Sequence, residues 1–206
     1  MAKKKRIFYP VVFMILVTAF FTFLLAFLNE QTYARIEEQK ALEFQTSVLY
    51  SLDLPIEDMS EKELISFYKN NIAERAIDER NYYIYSENGT IKGYVFQFIG
   101  DGLWGTISGH IAFNPSFSQL LGVNFTDHSE TPGLGGRIDE IEFKEQFRNI
   151  SITDVEEIIE YGTASGGNVD AISGATSTST AVKNILNRQI PIIIELTQKE
   201  GFDEWD

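Results

Sequence analysis

The sequence predicts an α+β protein, in which one apolar N-terminal helix precedes a compact domain with an antiparallel sheet flanked by helices. Three observations support this prediction. Residues 7–28 contain no charged side chain, strand-like segments cluster after residue 81, and a helical pattern resumes at Thr178. The 206 residues leave room for one domain of ordinary size beside the apolar segment.

The apolar segment Ile7–Leu28 is long enough to cross a membrane. As a helix its 22 residues span about 33 Å, against a hydrocarbon core of about 30 Å. A cleaved signal peptide has a shorter apolar region and small residues at the cut site, which residues 27–31 do not supply. The four basic residues at positions 3–6 predict a cytoplasmic N-terminus, so the rest of the chain would be extracytoplasmic.

The sequence divides into four predicted regions. These are a basic cytoplasmic N-terminus (1–6), a single transmembrane anchor (7–28), a helical stalk with capping helices (29–80) and a folded domain (81–206). Asn29–Leu54 is predicted to continue the helix, which Pro55 ends. Ser60 and Glu63 form a capping box that opens a second helix. The apolar face of this second helix is predicted to contain Leu64, Ile65, Tyr68 and Ile72.

The folded domain begins with four predicted strands rich in β-branched and aromatic residues. They are Tyr82–Ser86, Ile91–Ile99, Gly105–Phe113 and Leu120–Thr126. Asn88-Gly89 between the first two is a strong hairpin signal, which predicts antiparallel pairing. A short helix near residues 139–147 and a longer one from Thr178 are predicted to flank the sheet.

Composition excludes several kinds of chemistry. The chain has no cysteine, so disulfides, thiol catalysis and cysteine-ligated metal centres are ruled out. No histidine or carboxylate group has metal-ligand spacing, so we predict no metal site. The net charge is −13, and from residue 7 onward 13 basic residues face 30 acidic ones. A domain this acidic would repel the phosphate backbone of nucleic acids, so we predict no nucleic-acid partner.

Two glycine-containing segments stand out as candidates for ligand binding. In Asp170-Ala-Ile-Ser-Gly-Ala-Thr176, small residues leave a hydroxyl unobstructed just before a predicted helix, where unpaired N–H groups favour a phosphate. An ordinary helix cap has the same composition. In Glu130-Thr-Pro-Gly-Leu-Gly-Gly136, glycines around one leucine allow close backbone approach to a flat ligand, although a plain surface loop also fits. Trp104, flanked by Leu103 and two glycines, could stack on a ring.

Together these segments resemble a known family. The pattern D-x-x-[ST]-G-A-T, downstream of an H-x-E-T-P-G-L-G loop, is similar to the covalent-FMN subunits of two respiratory ion pumps. These are RnfG of the Rnf ion-translocating ferredoxin oxidoreductase and NqrC of the sodium-pumping NADH–quinone reductase (RnfG/NqrC family). The segment 102–104, the glycines at 135–136 and Ser173 are more similar to NqrC, whereas the chain length is more similar to RnfG. The resemblance leaves both open.

The resemblance implies a role for each matching residue. Thr176 would carry FMN through a phosphoester, and Asp170, Ser173, Gly174 and Ala175 would form the phosphate pocket and the recognition sequence of a flavin transferase. The loop residues Glu130, Thr131, Gly133, Leu134 and Gly135 would surround the isoalloxazine ring, with Trp104 as a ring neighbour. No residue of this chain would be catalytic.

The family also implies a function and a location. The protein would be the electron-transfer redox subunit of an ion-translocating complex, with ferredoxin:NAD or NADH:quinone chemistry, in the bacterial inner membrane. Its partners would be the other membrane subunits, and a flavin transferase during maturation. The alternative is a stand-alone membrane-tethered module that binds FMN reversibly, such as a sensor or assembly factor.

Overall fold

The structure, a computed structural model, describes residues 2–78, 80–152, 157–199 and 201–202, with side chains from residue 8 onward. The chain divides into two compact units, residues 1–43 and 44–206. Helix α1 (Ala2–Ser51) begins in the first unit and ends in the second. Its segment from Phe8 is long and apolar enough to cross a membrane, and none of its most apolar stretch is buried. This confirms the predicted N-terminal apolar helix, while its orientation stays a prediction.

Two helix ends differ from the sequence prediction. Helix α1 ends at Ser51 rather than Leu54, because Asp53 adopts a left-handed φ of 60° and breaks the helical bonding before Pro55. Helix α2 (Glu61–Asn71) has the predicted capping box at Ser60. Ile72, predicted on its apolar face, instead has extended backbone angles and starts a strand that was not predicted.

The domain contains one five-stranded antiparallel sheet in which the strands follow chain order. Its strands are β1 (Ile72–Ile77), β2 (Arg80–Glu87), β3 (Thr90–Asp101), β4 (Thr106–Phe113) and β5 (Leu120–Asp127). The predicted turn at Asn88-Gly89 joins β2 to β3, and both residues have positive φ. Short helix α3 (Ile141–Lys144) and long helix α4 (Thr176–Lys199) follow. The predicted α+β class is confirmed.

The sheet has hydrophobic residues on both faces because alternate side chains of a strand point in opposite directions. On one face Phe96 and Ile111 belong to the large core that includes Leu186 and Ile190 of α4. On the other face Val95 belongs to a smaller cluster with Val48 from the last turns of α1. Helices therefore flank the sheet on both sides.

The strand connections bring three loops to one end of the sheet. Asp101, the last residue of β3, pairs with Thr106, the first of β4, so residues 102–105 form a turn at this end. Ser108 near the start of β4 pairs with Asp127 at the end of β5, so the segment after β5 leaves from the same end. Gly100 lies against Ile185 of α4, whose N-terminus belongs to the third loop.

Arg148 fixes the C-terminal turn of α1 to the domain. Its Nη1 donates to the carbonyl oxygens of Tyr50 (2.9 Å), Ser51 (3.4 Å) and Leu121 (3.3 Å). Its guanidinium lies 4.6 Å from the centre of the Tyr50 ring. The last carbonyl oxygens of a helix have no donor inside the helix, and the Arg148 guanidinium donates hydrogen bonds to those of α1.

We expect Arg148→Met to lower the free energy of unfolding by about 2–4 kcal/mol, because three carbonyls lose a charged donor. Arg137→Met is the matched control: its side chain is 41% exposed, against 10% for Arg148, and should cost at most about 0.5 kcal/mol. Urea unfolding of the full chain in detergent measures both, and equal losses would contradict the assignment.

His110 is a buried histidine on the α1 side of the sheet. Its Nδ1 lies 2.7 Å from Ser47 Oγ, which also accepts a bond from Asn124 Nδ2 (2.9 Å). The donor in the Ser47–His110 bond depends on the tautomer of the ring. Among the described residues, Nε2 has no hydrogen-bond partner. Burial lowers the pKa of His110 from 6.5 to about 4.

This pKa predicts a pH-dependent contribution to stability. Between pH 6.5 and about pH 4 the unfolded chain binds a proton at this site that the folded protein does not, so stability falls by up to about 3 kcal/mol. We expect His110→Gln to remove this component, whereas His128→Gln should retain it. Unfolding free energies at about pH 7 and pH 4.5 test this, and an unchanged pH dependence in His110→Gln would contradict it.

Candidate functional site

The three loops enclose an open cavity of about 430 Å³. One wall is the turn 102–105, the second is the loop after β5, and the third is the N-terminus of α4. Seven of the eleven predicted site residues line it: Trp104, Thr131, Leu134, Gly135, Gly174, Ala175 and Thr176. Leu103, Ser177 and Thr178 complete the lining. The structure thus brings together three segments that are distant in sequence.

Thr176 is the first residue of α4, and its side chain is exposed at the cavity. A turn closed by the bond from Ala175 N to Ile172 O (3.0 Å) presents it. Gly174 has a φ of 79° in this turn, a conformation that disfavours other residues. The first N–H groups of a helix have no partner within the helix, so this wall offers a hydroxyl and hydrogen-bond donors together.

The other two walls present large apolar side chains to solvent. Trp104 is 67% exposed, Leu103 50% and Leu134 47%. Side chains of this size are normally covered in a stable domain, and a contiguous exposed group around a cavity is typical of a ligand site. The arrangement fits a ligand that has a flat apolar part and an anionic part.

Glu130 lies beneath the cavity rather than in its lining, with 5% of its surface exposed. Its Oε1 accepts bonds from the backbone N–H groups of Leu103 (2.7 Å) and Trp104 (3.2 Å). Its Oε2 accepts a bond from the Thr178 hydroxyl (2.6 Å). The carboxylate of Glu130 therefore joins two walls, and the place of Glu130 in a loop around a flavin ring stays a prediction.

Three other predicted residues lie outside the lining. The Asp170 carboxylate accepts bonds from the Thr163 backbone N–H (3.0 Å) and hydroxyl (2.8 Å), so it shapes the preceding loop. Ser173 and Gly133 are exposed turn residues. Asp170 and Ser173 belong to the same motif as Thr176, but sharing a motif does not require sharing a pocket.

Thr178 and Ser177 were missed by the sequence reasoning, which stopped at the end of the motif. Thr178 is 2% exposed, although it sits in the first turn of a helix. A buried hydroxyl two residues after Thr176 could have been anticipated only by knowing that a buried carboxylate faces it. Leu103 was noted only as a neighbour of Trp104.

His128 holds the loop after β5 through hydrogen bonds of both its ring nitrogens. The backbone N–H of Glu130 donates to its Nδ1 (3.1 Å), and its Nε2 lies 2.9 Å from the Asp139 carboxylate. Because Nδ1 accepts, the ring proton sits on Nε2 and points at Asp139. Both ring nitrogens are thus engaged in holding the loop.

Among the described residues that line the cavity there is no lysine, arginine or histidine. Among the residues that the structure describes, no cluster of three or more metal-ligating side chains occurs. A ligand anion at Thr176 would therefore be met by N–H groups and hydroxyls rather than by a side-chain cation.

The fold is a small sheet domain with a cavity at one sheet end, and comparison with known proteins shows which proteins it resembles. Residues 102–190 match a family model described as an FMN-binding domain. This segment contains all three cavity walls. The match covers less than half of the chain, and the resemblance inferred from the motifs is confirmed for this segment.

Curated relatives belong to two groups of ion-translocating oxidoreductase subunits. The chain is 37% identical over 106 residues to the RnfG subunit of the ion-translocating oxidoreductase complex of Methanosarcina acetivorans, covering 52% of this chain and 54% of that protein. It is 32% identical over 109 residues to the NqrC subunit of the Na⁺-translocating NADH-quinone reductase of Pasteurella multocida, covering 50% and 42%. The matched segment thus spans about half the length of these relatives.

Solved structures show the same fold. NqrC of Shewanella oneidensis superimposes with a TM-score of 0.62 at 19% identity, covering 72% of this chain and 90% of that one. The corresponding NqrC subunit of the Na⁺-translocating NADH-quinone reductase from Parabacteroides distasonis gives 0.65 at 20% identity, covering 80% and 96%. The antiparallel sheet with its flanking helices is thus an architecture shared with these proteins.

The turn 102–105 provides a test of the cavity wall. A Cβ at Gly102 would lie 2.6 Å from Glu130 Oε1 and 2.8 Å from Ile107 Cγ1. A Cβ at Gly105 would lie 3.4 Å from the nearest atoms of Ser129, which is an ordinary contact distance. We expect Gly102→Ala to cost about 1–3 kcal/mol by overpacking, and Gly105→Ala about 0.5 kcal/mol or less. Thermal unfolding compares them, and equal stability of the two variants would contradict this packing.

Proposed function

We propose that the protein is an electron-transfer subunit that carries FMN in phosphoester linkage to Thr176, within a membrane complex that couples electron transfer to ion translocation. The observation that carries the proposal is the exposed Thr176 hydroxyl at a helix N-terminus, facing exposed Trp104 and Leu134 across one cavity. The FMN-binding domain match and the names of the relatives support it.

The residues of the cavity fit FMN. The N–H groups and hydroxyls of the first turn of α4 would hold the phosphate. Trp104, Leu103 and Leu134 would cover the apolar ring system, since aromatic and aliphatic side chains stack favourably on flat rings.

None of the described lining residues is a cation, which favours covalent attachment over reversible binding. A free phosphomonoester carries about −1.5 to −2 charges at pH 7, and no described side chain of the lining would offset them with a positive charge. A phosphodiester with Thr176 carries only one negative charge. Formation of this bond from FAD would join the Thr176 oxygen to the flavin-bearing phosphorus, break the pyrophosphate and release AMP, which requires a flavin transferase.

FMN when bound would supply one- or two-electron transfer, and the protein would hold and orient the group. One apolar helix cannot by itself form an ion pathway, so translocation would belong to other membrane subunits. We propose that α1 anchors the protein in the bacterial inner membrane with a cytoplasmic N-terminus and an extracytoplasmic domain. Both ferredoxin:NAD and NADH:quinone chemistry are compatible with the relatives.

We expect the full chain, co-expressed with a flavin transferase, to gain the mass of FMN less one water on the peptide containing Thr176. Thr176→Ala should abolish this modification because it removes the nucleophilic oxygen. Thr180→Ala is the matched control, since Thr180 is an exposed hydroxyl of the same helix that is not among the lining residues, and it should stay modified. Intact mass, peptide mapping and ultraviolet fluorescence of the denatured band measure the outcome.

A modified Thr176→Ala protein would contradict the attachment site. An unmodified wild type, with the transferase active on a known substrate, would contradict covalent binding. Flavin that copurifies but is lost on denaturation would instead indicate the reversible module.

A further inference from the structure

We propose that Thr178 is a positioning residue: its hydroxyl, acting through the Glu130 carboxylate, ties the first turn of α4 to the turn 102–105 and so sets the width of the cavity. The proposal rests on the proposed function only for the identity of the ligand. The tie itself is a property of this chain and has a readout that does not need the flavin.

The contacts form a continuous link between two walls. The Thr178 hydroxyl, 2% exposed, donates to Glu130 Oε2 at 2.6 Å. Glu130 Oε1 accepts from the backbone N–H groups of Leu103 and Trp104. One side-chain carboxylate thus receives a donor from α4 on one oxygen and two donors from the turn on the other.

The turn needs such an anchor because its own side chains are not packed. Leu103 and Trp104 are half or more exposed, so burial does not hold them. The turn is closed at its base by the bond from Gly102 N to Gly105 O (2.7 Å). Above that base, the bonds to Glu130 fix the backbone that carries the Trp104 ring.

The loop after β5 is shaped around the same link. A Cβ at Gly135 would overlap Thr178 Oγ1 and lie 2.8 Å from Glu130 Oε2. The third wall therefore also meets the other two at this point. Removing the Thr178 hydroxyl would leave Oε2 without its donor in a buried place, which favours rotation of the carboxylate toward water and release of the turn.

The test uses the full chain in a Trp205→Phe background, so that fluorescence reports Trp104 alone. Thr178→Val removes the hydroxyl and keeps the shape, Thr178→Ser restores the hydroxyl, and Thr180→Val is the control at an exposed position of the same helix. Without transferase, we expect Thr178→Val to lower Trp104 anisotropy and increase acrylamide quenching. We expect Thr178→Ser and Thr180→Val to behave as wild type.

A second readout follows the ligand. With limiting flavin transferase, Thr178→Val should load several-fold less flavin on Thr176 than Thr178→Ser does, at equal far-ultraviolet circular dichroism. Wild-type anisotropy and loading in Thr178→Val, or a Thr178→Ser protein that behaves like Thr178→Val, would overturn the proposal. A further outcome is a wild type that never carries flavin while Thr178→Val still lowers Trp104 anisotropy. That result would support the positioning role of Thr178 and contradict the proposed function.

Discussion

The carboxylate of Glu130 is buried where three distant chain segments meet, and the candidate site depends on it. It accepts hydrogen bonds from two backbone N–H groups of the turn after β3 and from a hydroxyl in the first turn of α4. A buried carboxylate is costly unless such donors satisfy it. Detaching any wall therefore exposes or orphans the carboxylate, so each wall helps to hold the others. Gly102 and Gly135 make the arrangement possible, because side chains at either position would collide with this carboxylate.

Charge and shape together restrict what the cavity can hold. Its described lining residues offer apolar side chains, hydroxyls and helix N–H groups, with no cation among them, and a carboxylate lies beneath the cavity. Free dianions are poorly matched to such a surface, whereas a flat apolar ring joined to a singly charged phosphodiester is well matched. The proposed covalent attachment would lower the ligand's charge and prevent its loss from a domain proposed to be extracytoplasmic.

The sequence was informative where local physics decides the structure. The uncharged stretch at residues 7–28, the capping box at Ser60 and the Asn88-Gly89 turn each predicted an element that the structure has. β1 was missed because its six residues include Glu74 and Arg75 and lack a clear apolar alternation. The motif predicted that Thr176 and Trp104 share a site, and the structure places both in one cavity. The buried role of Glu130 and the importance of Thr178 could not be predicted, because both arise from contacts 26 to 48 residues apart.

The most direct test of the central claim is phosphorus NMR of the flavin-loaded full chain as pH is varied. A phosphodiester at Thr176 has no second ionisation, so the account predicts one protein-bound resonance whose position is constant between about pH 5 and pH 8. A phosphomonoester titrates near pH 6, and a bound resonance that shifts through that pH would contradict covalent attachment at Thr176.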